Sequence, residues 1–267
     1  MNPDRLSVNQ MTVKQLSLPE LVKHCVRLGV PGVGLWRDPV RAYGIEAAAA
    51  LVRDAGLAVT TLCRGGFFTA DDWEDDNRAA IDEAAALGTD TLVLVSGGLP
   101  PGSRDLPGAR ARVADAIGRL APYAGARGIR LAIEPLHPMY ASDRCVISTL
   151  DQALAIAERH PAEQVGVTVD TYHLWWDENA PAAVERAGAR GRIHSFQLAD
   201  WATPLPEGVL EGRAQLGTGV IDLPAWAALL DRAGYTGPVE VELFNAALWA
   251  RDGAAVLEET VAAYRAV

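Results

Sequence analysis

Lysine is nearly missing from this chain: Lys14 and Lys23 are the only two, and both fall in or beside the first helical segment. Neither is near a strand end where a Schiff base would form, so amine-based carbonyl chemistry is set aside. Cysteine is scarce too. Cys25, Cys63 and Cys145 are odd in number and lack C-x-x-C spacing, which favours reduced thiols in a reducing compartment over a disulfide frame. No window approaches the roughly 18 apolar residues of a membrane span, and the first residues, MNPDRLSVNQMTVKQ, lack a basic stretch followed by an apolar one. A cytoplasmic location is expected. Positive charge is in deficit, with 24 Lys and Arg against 34 Asp and Glu and a net charge of −10. That balance argues against nucleic acid as a partner, since phosphate-binding surfaces carry a basic face or stripe.

What is present is ordinary for a globular protein: 49% hydrophobic and 22% charged residues in a length of 267. Short apolar, β-branched runs alternate with longer Ala/Leu/Arg/Glu segments of helical period, the pattern of repeated βα units and a parallel sheet. Strands are expected at Leu6–Asn9, Gly32–Leu35, Ala58–Cys63, Thr91–Val95, Arg130–Glu134, Gly166–Asp170, Ile193–Leu198 and Val239–Leu243. The intervening helices are expected near Leu18–Leu28, Ile45–Asp54, Asn77–Leu87, Gly108–Arg127, Thr149–Arg159, Ala180–Ala189, Leu223–Ala233 and Ala254–Tyr264. Gly29, Gly56, Gly88, Gly128 and Gly234 follow helical patterns where a left-handed residue ends a helix. Eight such units predict a single (β/α)8 TIM barrel over residues 1–267. A doubly wound open sheet is disfavoured, because no G-x-G-x-x-G follows the first strand. The longest irregular stretch, Ala199 to Gly219, follows the seventh strand and is expected to form a lid.

Barrel enzymes place their chemistry at the carboxyl ends of strands. The fifth strand reads RLAIEPLHP and ends in Glu134, and the sixth reads VGVTVDTYH and ends in Asp170. The seventh reads IHSFQLADW and carries Gln197, and the eighth reads PVEVELF and carries Glu240 and Glu242 on one face. Three carboxylates brought together repel one another unless paired, protonated or bound to a cation. One such acid alone fits a structural ion pair with an arginine. Four consecutive strands ending this way point instead to a hard divalent ion such as Mn2+ or Mg2+ held by oxygen donors.

Segments such as LAIEPLHP, VDTYH, a strand ending in Q-x-x-D, and GYTGPVEVELF resemble the xylose-isomerase-like superfamily of sugar-phosphate isomerases and epimerases, over essentially the whole chain. The resemblance implies Glu134, Asp170, Gln197 and Glu242 as metal ligands, with Glu134 and Glu242 also catalytic. Glu242 rather than Glu240 is implied because it lies eight residues after Gly234; Glu240 is expected deeper, paired with an arginine. Many members have histidine where Gln197 stands, and hydroxypyruvate isomerases are similar to this chain there. The loss of imidazole disfavours zinc. His194 is expected to be structural. The resemblance further implies His173 and Arg213 at the substrate; His137, Arg64 and Trp36 follow strand ends and are expected there as well, with Cys63 facing the site. Phe67, Trp175, Trp176 and Trp201 fit an apolar mouth, helix packing or a subunit interface, which leaves homo-oligomers open.

The implied reaction acts on a small sugar or oxo-sugar. A carbonyl polarised by the metal makes the neighbouring C–H acidic, and the two glutamates remove and return a proton through an enediolate. Three rivals stay open: a lyase that expels an aglycone from a 3-oxo-glycoside by β-elimination, an abasic-site endonuclease, and a silent sugar-binding barrel. The charge opposes the second. The presence of both glutamates opposes the third. The turn LGTG is too weak a motif to be read as a phosphate cradle.

Overall fold

The apolar runs become strands close to their expected limits. The computed structural model describes residues 1–206 and 209–267. Its strands are β1 (Leu6–Asn9), β2 (Gly32–Trp36), β3 (Ala58–Gly66) and β4 (Thr91–Val95), then β5 (Arg130–Ile133), β6 (Val165–Asp170), β7 (Ile193–Leu198) and β8 (Val239–Val241). Each pairs in parallel with its neighbour in sequence, and β8 closes on β1 with Val239 opposite Leu6. The (β/α)8 barrel read from the sequence is therefore the fold.

Local signals set the helices that wrap it. Helix Leu18–Leu28 begins in a capping box between Ser17 and Glu20 and ends at Gly29. The five glycines expected to close helices all have positive φ, from 69° at Gly29 to 78° at Gly88 and Gly234. Apolar faces such as Leu21, Val22 and Cys25 then bury against the barrel wall. No helix of the described residues is long and apolar enough to cross a membrane.

Inside the barrel the strands present polar groups. Glu240 lies opposite Ser7 on one side and Gln197 on the other, and Asp170 lies opposite Gln197. The Glu240 carboxylate is buried and accepts hydrogen bonds from Asn9 Nδ2 at 2.7 Å, Thr61 Oγ1 at 2.7 Å, Thr60 Oγ1 at 3.0 Å and Gln197 Nε2 at 3.3 Å. The expectation of an arginine partner is thus corrected: amide and hydroxyl donors reach this depth, and Glu240 makes no ion pair among the described residues. Gly34 makes room for the carboxylate, since a Cβ there would lie 2.4 Å from Glu240 Cδ.

The expected lid, Ala199–Gly219, contains residues 207 and 208, which lie outside the described residues. Its described part folds back as a two-stranded hairpin, Asp200–Trp201 against Arg213–Ala214. Asp200 is buried and accepts the backbone N–H groups of Gly217, Gly219 and Ile221 at 2.8 to 3.1 Å. The two glycine amides of the LGTG turn are therefore committed to this internal carboxylate, and those of Leu216 and Thr218 to Gln215.

Candidate active site

Glu134 and Glu242 stand one residue beyond β5 and β8, Asp170 ends β6, and Gln197 lies near the end of β7. All four side chains are buried. Strands β6 and β7 separate β5 from β8 in the barrel, so the two glutamates occupy opposite ends of the arc that Asp170 and Gln197 fill.

The hairpin after β7 delivers Arg213 into this arc. Its Nη2 lies 2.8 Å from Asp170 Oδ2 and 3.0 Å from Glu242 Oε2, and Nη1 donates to the Glu242 carbonyl at 3.3 Å. The sequence placed Arg213 on the substrate through a resemblance; its seat between two carboxylates was not foreseen. Burial pushes the Glu134 carboxyl well above the ordinary carboxylate range, and the charges of Glu242 and Asp170 push the same way. Glu242 is raised as well, chiefly by burial and against the pull of Arg213.

His173 lies on the helical turn after Asp170, with Nε2 3.9 Å from Glu134 Oε1 and 4.0 Å from Asp170 Oδ2. Burial, then the Arg213 charge, hold it well below the usual histidine range, so the ring is neutral. Its Nδ1 accepts the His137 backbone N–H at 3.2 Å, which leaves the hydrogen on Nε2. That N–H faces the Arg213 Nη2 donor at 3.2 Å, a contact between two donors. One atom from each of Glu134, Asp170 and His173 lies within 4.8 Å of the others, a group with the makings of a metal site.

Two observations test the fit of a divalent cation. Three carboxylates meet one guanidinium, leaving two negative charges when all are ionised. Gln197 Oε1 is a buried acceptor without a hydrogen-bond partner, while Nε2 of the same amide is tied to Glu240. Acceptor-only Glu240 fixes which end of the amide is left over, and an orphaned amide oxygen beside excess negative charge suits a hard cation.

The other expected residues divide. Trp36, Cys63 and Arg64 line one pocket with Glu134, His173, Arg213 and Glu242. Trp36 is held by its Nε1–H donating to Asn9 Oδ1 at 2.9 Å. The Cys63 thiol is pushed far up by burial and then by Glu242, Glu134 and Glu240, so it is no thiolate nucleophile. His137 does not line that pocket; its ring packs against Trp176 and Trp201, with centroids 5.4 and 5.3 Å away. Trp201 also stacks on Tyr172 at 4.7 Å and meets Trp175 at 5.3 Å, so Trp175, Trp176 and Trp201 cluster, while Phe67 lies against Arg64 and Trp36 against Phe244. His194 points away from the site, its Nε2 bonded to the Ala162 carbonyl at 2.8 Å, as expected of a structural residue. Reading the sequence missed Arg144, which lines the pocket from the loop after β5.

Comparison with known proteins agrees with this fold. Residues 22–260 match the family described as xylose isomerase-like TIM barrel, and the chain belongs to that family. A protein from Sinorhizobium meliloti 1021 of known crystal structure is 43% identical, with a TM-score of 0.95 over 99% of this chain and 98% of that one. A 3-dehydroshikimate dehydratase from Pseudomonas aeruginosa is 28% identical over 246 residues, 86% of this chain and 36% of its own. A ketose 3-epimerase from Arthrobacter globiformis is 30% identical over 139 residues, 51% of this chain and 43% of its own. The chain thus spans under half the length of the curated relatives it matches.

Proposed function

We propose that this chain is an enzyme that moves a proton at a carbon next to a carbonyl in a small polyhydroxylated substrate, isomerising or epimerising it. The observation that carries the reading is the arc itself: Glu134 and Glu242 at its two ends, with Asp170, Gln197 and Arg213 between them. A substrate lying over the arc has one glutamate toward each side. One, as carboxylate, takes the proton from carbon; the other, as carboxylic acid, returns one to the neighbouring atom or the opposite face. Raised carboxyl pKa values suit that exchange, because they bring the acid and base forms closer to neutral pH. His173 Nε2–H and the Arg213 guanidinium are donors poised to hold substrate oxygens.

Glu134, Asp170, Gln197 and Glu242 would hold one divalent ion, Mn2+ or Mg2+ by their all-oxygen donors, with His173 as a further neighbour. Such an ion, when bound, polarises the substrate carbonyl and makes the neighbouring C–H more acidic. Three buried free thiols support a reducing, cytoplasmic setting, and a net charge of −10 disfavours nucleic acid as substrate.

A second reading shares the first step. After loss of the α-proton, a β-hydroxyl leaves as water and a conjugated double bond remains. The likeness to the dehydratase favours it, since that likeness covers 86% of this chain and the likeness to the ketose 3-epimerase 51%. Incubating the Mn2+-treated protein with free ketoses and with 3-dehydroshikimate, then identifying products by NMR, tests both. An epimer or aldose–ketose pair supports the first reading and a dehydrated product the second. No change in any substrate would contradict the common first step.

A further inference from the structure

The arginines around the pocket fall into two kinds. Arg213 is neutralised by Asp170 and Glu242, and Arg37, behind β3, by Asp76 at 2.9 Å and Glu83 at 2.8 Å. Arg64 and Arg144 line the same pocket as Glu134, His173 and Glu242, and both are half-buried. Among the described residues, neither guanidinium makes an ion pair or a side-chain hydrogen bond. Asp38 shares an outer cleft with Arg64 but makes no ion pair with it. Arg64 Cζ lies 3.7 Å from the centroid of the Phe67 ring, a contact with the aromatic face that satisfies none of its five N–H donors.

Both arginines stand on fixed backbone. Arg64 belongs to β3, and its carbonyl accepts from Arg37 Nη1 at 3.3 Å. Arg144 lies between Tyr140, whose carbonyl accepts its backbone N–H at 3.0 Å, and buried Cys145, whose thiol reaches the Ile147 carbonyl at 3.1 Å. Two partly desolvated cations that share a pocket repel each other, and the repulsion is relieved when an anion enters. Burial is the main cause that holds the Arg64 guanidinium below its ordinary range, and the Arg144 charge acts in the same direction. The other candidate anion cradle, the LGTG turn, already has its amides bound, those of Gly217 and Gly219 to Asp200 and those of Leu216 and Thr218 to Gln215.

We propose that Arg64 and Arg144 form a subsite for an oxyanion carried by the substrate, a carboxylate or a phosphate, while its carbonyl end faces Glu134 and Glu242. This rests on the reading of the pocket as the substrate site and narrows the substrate to an acidic sugar derivative. Planar guanidinium forks suit both oxyanions, so shared chemistry defines the site and the probe decides the source.

Isothermal titration of the full chain with D-fructose, 2-keto-D-gluconate and D-fructose 6-phosphate measures the preference directly. The expected result is that one of the two anions binds at least about tenfold tighter than fructose. A preference for the keto acid assigns a carboxylate, and one for the ester a phosphate. In R64Q and in R144Q, each checked for an intact fold by circular dichroism, the ratio of anionic to neutral affinity falls by about tenfold or more, and R64K retains part of it. Equal affinity for all three probes, no binding of either anion, or an unchanged ratio in both glutamine variants would overturn the proposal. Anion preference without turnover would leave the subsite standing and sink the reaction; turnover of neutral ketoses without the preference would do the reverse.

Discussion

Arg213 Nη2 lies 2.8 Å from Asp170 Oδ2, and both side chains are almost wholly out of solvent. The same nitrogen reaches Glu242, so a single guanidinium balances two buried carboxylates. Removing it leaves charges without a partner, which costs about 3–5 kcal/mol for a buried pair. Arg213→Gln should therefore melt well below the wild type when metal-free. Added Mn2+ takes over the lost countercharge, so its upward shift of Tm should be larger in the variant. Equal shifts in the two proteins would show that Arg213 and the cation do not share these carboxylates.

Glu240 orients Gln197. A carboxylate accepts only, so it draws Nε2 of the amide toward itself and leaves Oε1 as the free acceptor. In Glu240→Gln the new oxygen can still accept from Thr60 and Thr61, but the Nε2 then stands where Oε1 now accepts from both Asn9 and Gln197. Those two bonds are lost, and the Nε2 donates to Gln197 instead, turning that amide over. Mn2+ affinity by calorimetry should fall by about ten- to hundredfold, the usual scale for a group that holds a metal ligand in place. An unchanged affinity would remove Gln197 from the ligand set.

His194 makes stability depend on pH. Burial, then the Arg130 charge, lower its pKa from 6.5 to about 4, and its Nε2–H donates to the Ala162 carbonyl. Between those values the unfolded chain takes up a proton that the folded chain refuses. The stabilisation is complete above about pH 6.5 and is lost as the pH falls toward 4, up to about 3 kcal/mol at about 1.4 kcal/mol per unit. Urea midpoints at pH 7 and pH 5 should differ more in the wild type than in His194→Gln. Equal differences would mean that the ring titrates normally.

The barrel was legible because its signals are local: runs of three to nine residues make each strand, and glycines with positive φ stop helices. Glu134, Asp170, Gln197 and Glu242 were legible as polar groups at the ends of apolar runs. The partners of Glu240 were not, since they come from β1, β3 and β7, and only the register of three strands brings them together. Arg213 sits in an irregular segment whose path is set by a two-residue pairing with Asp200 and Trp201, too short to leave a pattern. Arg144 reaches the pocket from a loop after β5, far in sequence from Arg64, and no spacing rule joins them.

The central claim is that Glu134 and Glu242 carry a proton between carbon and solvent-exchangeable acid. With the substrate identified by product analysis, turnover in D2O is measured for the wild type, Glu134→Gln and Glu242→Gln, each with metal content determined. The wild type should place deuterium on the carbon next to the carbonyl. Each glutamine variant keeps an oxygen donor but loses the base, so turnover should fall by at least about a hundredfold with metal still at least partly bound. Both variants staying active with metal bound would contradict the account and move the proton transfer to another group, such as His137 or His173.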